Sequence, residues 1–145
     1  MLIRQIIPQD HQEWLRMRRR LWPELPLDVH LTEMEALASD ATSKVFVAAR
    51  PGGSLGGFLE AAQRNYAEGC DSSPVGYIEG WYVDSDLRRQ GLGGQLVRAA
   101  EAWARALGLV EIASDCLLDN EVSLVAHISS GFQEVERLIH FKKRL

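Results

Sequence analysis

Arg88 and Arg89 stand just ahead of Gly91, Gly93 and Gly94 in a chain of 145 residues. The glycines open a run in which Leu92, Leu96, Val97, Ala100, Trp103 and Leu107 recur at helical spacing. The first N–H groups of a helix lack intrahelical acceptors and lie at the positive end of its dipole, so this stretch has the chemistry of an anion site, reinforced by two guanidinium groups. Glu79 offers the opposite chemistry. It sits among the aromatic and β-branched residues 77–83, where an unpaired carboxylate is costly to bury. It is either half of a structural salt bridge or an acid that binds a cationic amine or accepts its proton. Asp115 follows the apolar run 109–114. Residues at the carboxyl ends of strands border the ligand crevice of open α/β sheets; a turn or helix cap is the alternative reading. Two aromatics fall in expected loops: Trp22, a ligand contact or a core residue, and Tyr66, a stacking surface or an anchor for its own loop.

The elements that must position these residues are legible in outline. Residues 2–7 alternate weakly and suit an edge strand. Asp10 is placed to cap a helix through Trp14, Leu15, Met17, Arg18 and Leu21, which Trp22-Pro23 ends. Thr32 is expected to cap a second helix over 33–39, with Glu35 in a capping box. Strands are expected at 44–49, 55–64 and 77–83, with a polar excursion at 65–74 that is long for a hairpin. Alternation along the last of these puts Tyr77, Glu79, Trp81 and Val83 on one face, and Ile78, Gly80 and Tyr82 on the other. Beyond the glycine-led helix, Gly108 suits a C-cap and residues 109–114 a strand. Asn120 caps a helix over 121–130 that Gly131 closes, and residues 132–138 and 140–144 read as two final strands.

Length and composition set outer bounds. A chain of this size suits one domain, residues 1–145, and a hydrophobic share of 46% beside 25% charged residues is ordinary for a soluble globular protein. No apolar run approaches the ~20 residues of a membrane span, and the N-terminus lacks a signal-peptide core. Cys70 and Cys116 form no disulfide framework and have no metal-ligand spacing with His, which points to cytoplasmic thiols and no metal. A net charge of −4 argues against nucleic acid and for cationic ligands.

The usual glycine motifs do not fit the anion site. No Gly-x4-Gly-Lys-Ser/Thr run exists, and the glycines at 91, 93 and 94 lack the third glycine of the dinucleotide fingerprint. Arg88-x-x-Gly91-x-Gly93 behind a hydrophobic strand instead resembles the acyl-CoA signature of the GNAT N-acetyltransferases, Gln/Arg-x-x-Gly-x-Gly/Ala. Asn120-x-x-Ser123-x-x-x-His127-x-x-x-Gly131-Phe132 is similar to a second GNAT pattern. A narrower resemblance runs through Arg18 to Pro23, Tyr66-x-x-Gly69-Cys70-Asp71-Ser72-Ser73-Pro74-Val75, Glu79-Gly80-x-Tyr82-Val83, Ala113-Ser114-Asp115 and Gly131-Phe132-Gln133-Glu134-x-Glu136-Arg137. These segments look like the aminoglycoside 6′-N-acetyltransferases, short, cytoplasmic, dimeric resistance enzymes.

The resemblance implies an α/β (α+β) GNAT fold, a mixed, mostly antiparallel sheet flanked by helices and splayed between its fourth and fifth strands. It implies acetyl-CoA as co-substrate, held by Trp81, Tyr82 and Val83, by Arg88, Arg89, Gln90, Gly91, Leu92, Gly93 and Gly94, and by Asn120. It implies an aminoglycoside site at Trp22, Tyr66, Glu79, Asp115 and Glu136, three acids and two aromatics suited to a polyammonium sugar. Direct transfer in a ternary complex follows as an expectation, with the Val83 N–H polarising the thioester carbonyl and Glu79 as base or anchor. His127 stands where such enzymes often place a tyrosine acid, and either takes that role or packs the helix face. A homodimer is also implied, with the C-terminal strand pairing across a two-fold axis and Glu136 serving the neighbouring pocket. The alternatives are an acetyltransferase for another amine, such as a polyamine or peptide N-terminus, and a non-catalytic acyl-CoA sensor.

Overall fold

The short apolar runs in the first half of the chain become a sheet with helices on both faces. The computed structural model describes residues 1–145. In chain order the elements are β1 (Leu2–Gln5), α1 (His11–Leu21), α2 (Leu27–Ser39), β2 (Ser43–Ala49), β3 (Leu55–Arg64), β4 (Val75–Val83), α3 (Leu92–Ala106), β5 (Ile112–Ser114) and α4 (Glu121–Ser129). The strands lie in sequence order, the first four antiparallel and β5 parallel to β4.

Alternation along β2 and β3 divides the core. Phe46, Ala48, Leu59 and Ala61 face α3, where Leu92, Leu96, Val97 and Ala100 meet them. Val45, Val47, Phe58 and Tyr82 face α1 and α2, against Trp14, Met17 and Met34. Full burial of a Leu or Phe side chain stabilises by about 1.5–3 kcal/mol, so these two layers supply most of the force that holds the sheet flat against its helices.

Two irregularities in β4 shape the site. The β3–β4 register steps from Glu60 opposite Gly80 to Ala61 opposite Ile78, so Glu79 has no opposing residue. This is a β-bulge, and it breaks the expected alternation. Ile78, Trp81 and Val83 share the α3 face, while a side chain at Gly80 would meet Trp22 on the other face. Pairing with β5 covers only Gly76–Ile78 against Ile112–Ser114. Beyond it, β4 has no strand neighbour on that edge through residues 79–83. This is the expected splay.

Four local expectations are corrected. Asp10 does not cap α1: its carboxylate accepts from the Ile7 N–H and pairs with Arg4. Helix α2 begins at Leu27, after Pro26 at its N-cap; Thr32 lies inside it, its hydroxyl donating to the Asp28 carbonyl 2.9 Å away. Pro fixes the φ suited to a helix start, and this outweighs the later Thr signal. Strand β5 is three residues long rather than six. Residues 132–145 form no strand at all: they pair neither with the outer edge of β1 or β5 nor with the free edge of β4. No helix is long and apolar enough to cross a membrane.

Candidate functional site

The turn from β4 into α3 is open and held from below. Gly91 takes the left-handed conformation at φ +78°, with no atom within 4 Å of where a side chain would begin, and Arg89 reaches φ +60°. The first intrahelical bond runs from the Gln95 N–H to the Gly91 carbonyl at 3.1 Å, which leaves the N–H groups of Leu92, Gly93 and Gly94 ahead of it. Gly93 sits flush on β4: a β-carbon there would come within 3.1 Å of the Trp81 ring. Arg88, Arg89 and Gln90 are exposed beside this turn. Arg88 is partly committed, its Nε donating to the Val83 carbonyl at 3.0 Å.

Below the turn, Asp84 is buried and anchors the end of β4. It takes a two-nitrogen contact from Arg16 at 3.0 Å, a contact from Arg50 at 3.3 Å and the Tyr82 hydroxyl at 3.1 Å. Burial pushes the Asp84 carboxyl up, but the hydrogen bonds and charge of Arg16 outweigh it and hold the group below the ordinary carboxylate range. The Asp84 N–H donates to the Gly56 carbonyl on the β3 side. Successive strand amides alternate edges, so the Val83 N–H points to the open edge of β4. Helix-start amides without intrahelical acceptors, a flush glycine and an unpaired strand edge in continuity are features that suit an acyl-pantetheine diphosphate.

His127 and Asn120 lie on the far wall, on and beside α4. The His127 ring is edge-on to Trp81 at 5.1 Å and to Phe132 at 5.4 Å. Its Nδ1 is 2.7 Å from the Ser123 carbonyl and its Nε2 is 2.7 Å from the Ser114 hydroxyl. The Asn120 side chain accepts from the Ser123 N–H, capping α4 as expected.

The acidic end lies where the bulge turns Glu79 outward. Both Glu79 oxygens are taken by Arg64, from Nε at 2.8 Å and from a terminal nitrogen at 2.7 Å. The Arg64 guanidinium lies 3.5 Å from the centre of the Tyr77 ring, and the Tyr77 hydroxyl donates to Asp115. Burial, then the Asp115 contact, raises the Tyr77 phenol above its usual value and keeps it a donor. Trp22 lies beside this array, half-buried. Its ring would meet a β-carbon at Gly80 within 2.5 Å, and the buried Arg18 guanidinium is 4.7 Å from its centre. Arg18 in turn pairs with buried Glu60 and with Glu33. Burial pushes the Glu60 carboxyl up, against the pull of Arg18.

Of the five residues expected at the acidic site, the structure joins Glu79 to Asp115 through Arg64 and Tyr77, and places Trp22 against Gly80. Tyr66, on the loop after β3, is 68% exposed and faces solvent. Glu136 forms no ion pair or hydrogen bond and belongs to the exposed C-terminal segment, whose Val135 sits on Gly69. Sequence reasoning missed Arg64 and Tyr77, which stand diagonally across β3 and β4, Arg64 opposite Val75 and Tyr77 opposite Ala62. It also missed Glu111, which pins the 69–74 loop through the Asp71 and Ser72 N–H groups and the Ser72 hydroxyl. An acid just before a short strand carries no signal of that task.

Comparison with known proteins agrees with this geometry. Residues 10–132 match the Acetyltransferase (GNAT) family. An aminoglycoside N(6′)-acetyltransferase type 1 from Klebsiella aerogenes is 42% identical, over 99% of this chain and 97% of its own length. The protein of that name from Stenotrophomonas maltophilia is 39% identical, over 99% of this chain and 93% of its own. Among solved structures, the apo aminoglycoside 6′-N-acetyltransferase AAC(6′)-Ig from Acinetobacter haemolyticus superposes with a TM-score of 0.93 at 36% identity, covering 100% of this chain and 99% of that one. AAC(6′)-Iy in complex with the bisubstrate analogue CoA-S-monomethyl-acetylneamine gives 0.93 at 36% identity, covering 99% of this chain and 98% of that one. With the family match over residues 10–132 and relatives at about 40% identity along almost the whole chain, this protein belongs to the aminoglycoside 6′-N-acetyltransferases of the GNAT family.

Proposed function

We propose that this protein transfers the acetyl group of acetyl-CoA to the 6′-amino group of aminoglycoside antibiotics, as its relatives' names describe. The observation that carries the reading is the unpaired β4 edge at residues 79–83, which runs from the Glu79 carboxylate at one end to the open amides before α3 at the other. When bound, the co-substrate supplies an activated acetyl thioester. The amides of residues 89–94 hold its diphosphate, with Arg89 and Gln90 alongside. Trp81, Tyr82 and Val83 serve through their backbone; the Tyr82 side chain is turned away and stacked on Phe58. Asn120 borders the same crevice.

Transfer is direct, with both reactants bound. Positioning two reactants is worth up to ~7–11 kcal/mol, enough to supply much of the acceleration. The Val83 N–H faces the open edge and donates to oxyanion character developing there. Trp22, Tyr66, Glu79, Asp115 and Glu136 present carboxylates and aromatic faces to a polyammonium sugar. With both oxygens committed to Arg64, Glu79 serves as an anion that holds the ammonium, and water takes the proton. His127, with both ring nitrogens engaged, shapes the wall under Trp81.

The experiment is release of free thiol from acetyl-CoA with kanamycin or tobramycin, with spermidine in parallel. Thiol release with the antibiotics is the expected result. Release with spermidine alone would make this a general amine acetyltransferase, and tight CoA binding without release would make it a sensor.

The protein also works as a homodimer in the cytoplasm. Val122, Val125 and Ile128 on α4, and Val135, Leu138, Ile139 and Phe141 beyond it, are all more than half exposed. Segment 132–145 has the strand-like pattern but pairs with no strand of its own chain, and a second copy covers this apolar surface. Two unpaired cysteines suit a reducing compartment.

A further inference from the structure

Arg64 ends β3, and Glu79, the residue of β4 with no partner opposite, turns its carboxylate to it. The guanidinium fills the most favourable cation position in the acidic end. It takes both oxygens of Glu79, at 2.8 and 2.7 Å, and lies on the face of Tyr77 at 3.5 Å. Asp115 stands one hydrogen bond further on, at the Tyr77 hydroxyl. A carboxylate edge, an aromatic face and a second carboxylate are what an ammonium-bearing sugar would seek. The pair is partly solvated, with side chains 41% and 30% exposed. Such pairs hold weakly and exchange with another cation at little cost.

We propose that Arg64 is a resident competitor for the substrate ammonium at Glu79, which the substrate must displace or share to bind. The inference rests on the aminoglycoside reading above and goes beyond it by giving a residue outside the expected set control over affinity. Guanidinium and ammonium make the same claim on the same anion, so affinity for the sugar is reduced by the strength of the internal pair.

The test is calorimetric titration of kanamycin into the CoA-bound protein. Variants are Arg64→Met, whose stem still covers Tyr77, Arg64→Lys, Glu79→Gln and the Arg64→Met/Glu79→Gln double variant. Arg64→Met should tighten Kd about fivefold, the scale of one part-exposed ion pair, and Arg64→Lys should stay within about twofold of the parent. On the Glu79→Gln background the Met substitution should give no gain, because neither cation then has an anion to compete for. An unchanged or weaker Kd in Arg64→Met overturns the proposal, and so does an equal gain on both backgrounds, which would be a general charge effect. Thiol release by the parent with kanamycin, together with no tightening in Arg64→Met, removes this inference alone. No binding to any variant removes it along with the aminoglycoside reading.

Discussion

Asp84 and Glu79 are carboxylates five residues apart with opposite fates. Asp84 is buried under Arg16, Arg50 and the Tyr82 hydroxyl, while Glu79 is pushed outward to meet one arginine near solvent. The first fixes the strand end and the second is available to a ligand. Because its folded pKa lies below its unfolded value, Asp84 stabilises fully above the unfolded carboxylate pKa, about 3.9, and that contribution fades as pH falls through the folded pKa. Asp84→Asn should therefore cost about 2 kcal/mol at neutral pH. The deficit should shrink as pH falls below the unfolded carboxylate value, and vanish only once the folded carboxyl of the parent is protonated too. Urea unfolding of both proteins over a series of falling pH values measures it. At this scale the sequence singled out Glu79 and Asp115, since a lone acid in apolar strand context is visible as an oddity. Arg64 gave no such sign, because a terminal arginine on a strand reads as solvated.

Among the elements, the glycine turn follows most directly from residue type. Gly91 needs φ +78° and has open space around it, so a methyl group there would meet no neighbour and pay only for conformation. Gly91→Ala should lower stability by about 1 kcal/mol, whereas Gly52→Ala, also in open space but without positive φ, should be neutral by chemical denaturation. Helix α3 could be read from hydrophobic period, because it buries one regular stripe, and strands β2 and β3 from short apolar runs buried on both faces. The faces of β4 could not. A bulge adds one residue to a period of two and inverts every side chain beyond it, and nothing local in Tyr77 to Val83 announces where that residue enters. The start of α2 was hidden for another reason: its N-cap is Pro26, which reads as a breaker.

At the scale of the molecule, the uneven distribution of apolar surface matters most. The core around β2 to β4 is closed, yet α4 buries none of its residues and the last fourteen are mostly exposed, Phe141 at 90%. Light scattering should give twice the 16.2 kDa chain mass. Deletion of residues 139–145 should give the monomer mass and weaken the binding of kanamycin more than that of CoA, because Glu136 and the segment carrying it lose their support. A monomeric full-length protein would refute the dimer.

Residue chemistry and local period, written in the order of amino acids, marked the amides ahead of α3 and the acids at Glu79 and Asp115, and the resemblance of their motifs pointed to the GNAT family. Only tertiary structure decided that Glu79 is already paired, that His127 has both nitrogens occupied, and that residues 132–145 find no strand in their own chain. Each of those depends on which segments the fold brings side by side, β3 against β4 for Glu79, α4 beside β5 for His127, and such pairing is a property of two segments together that neither carries alone.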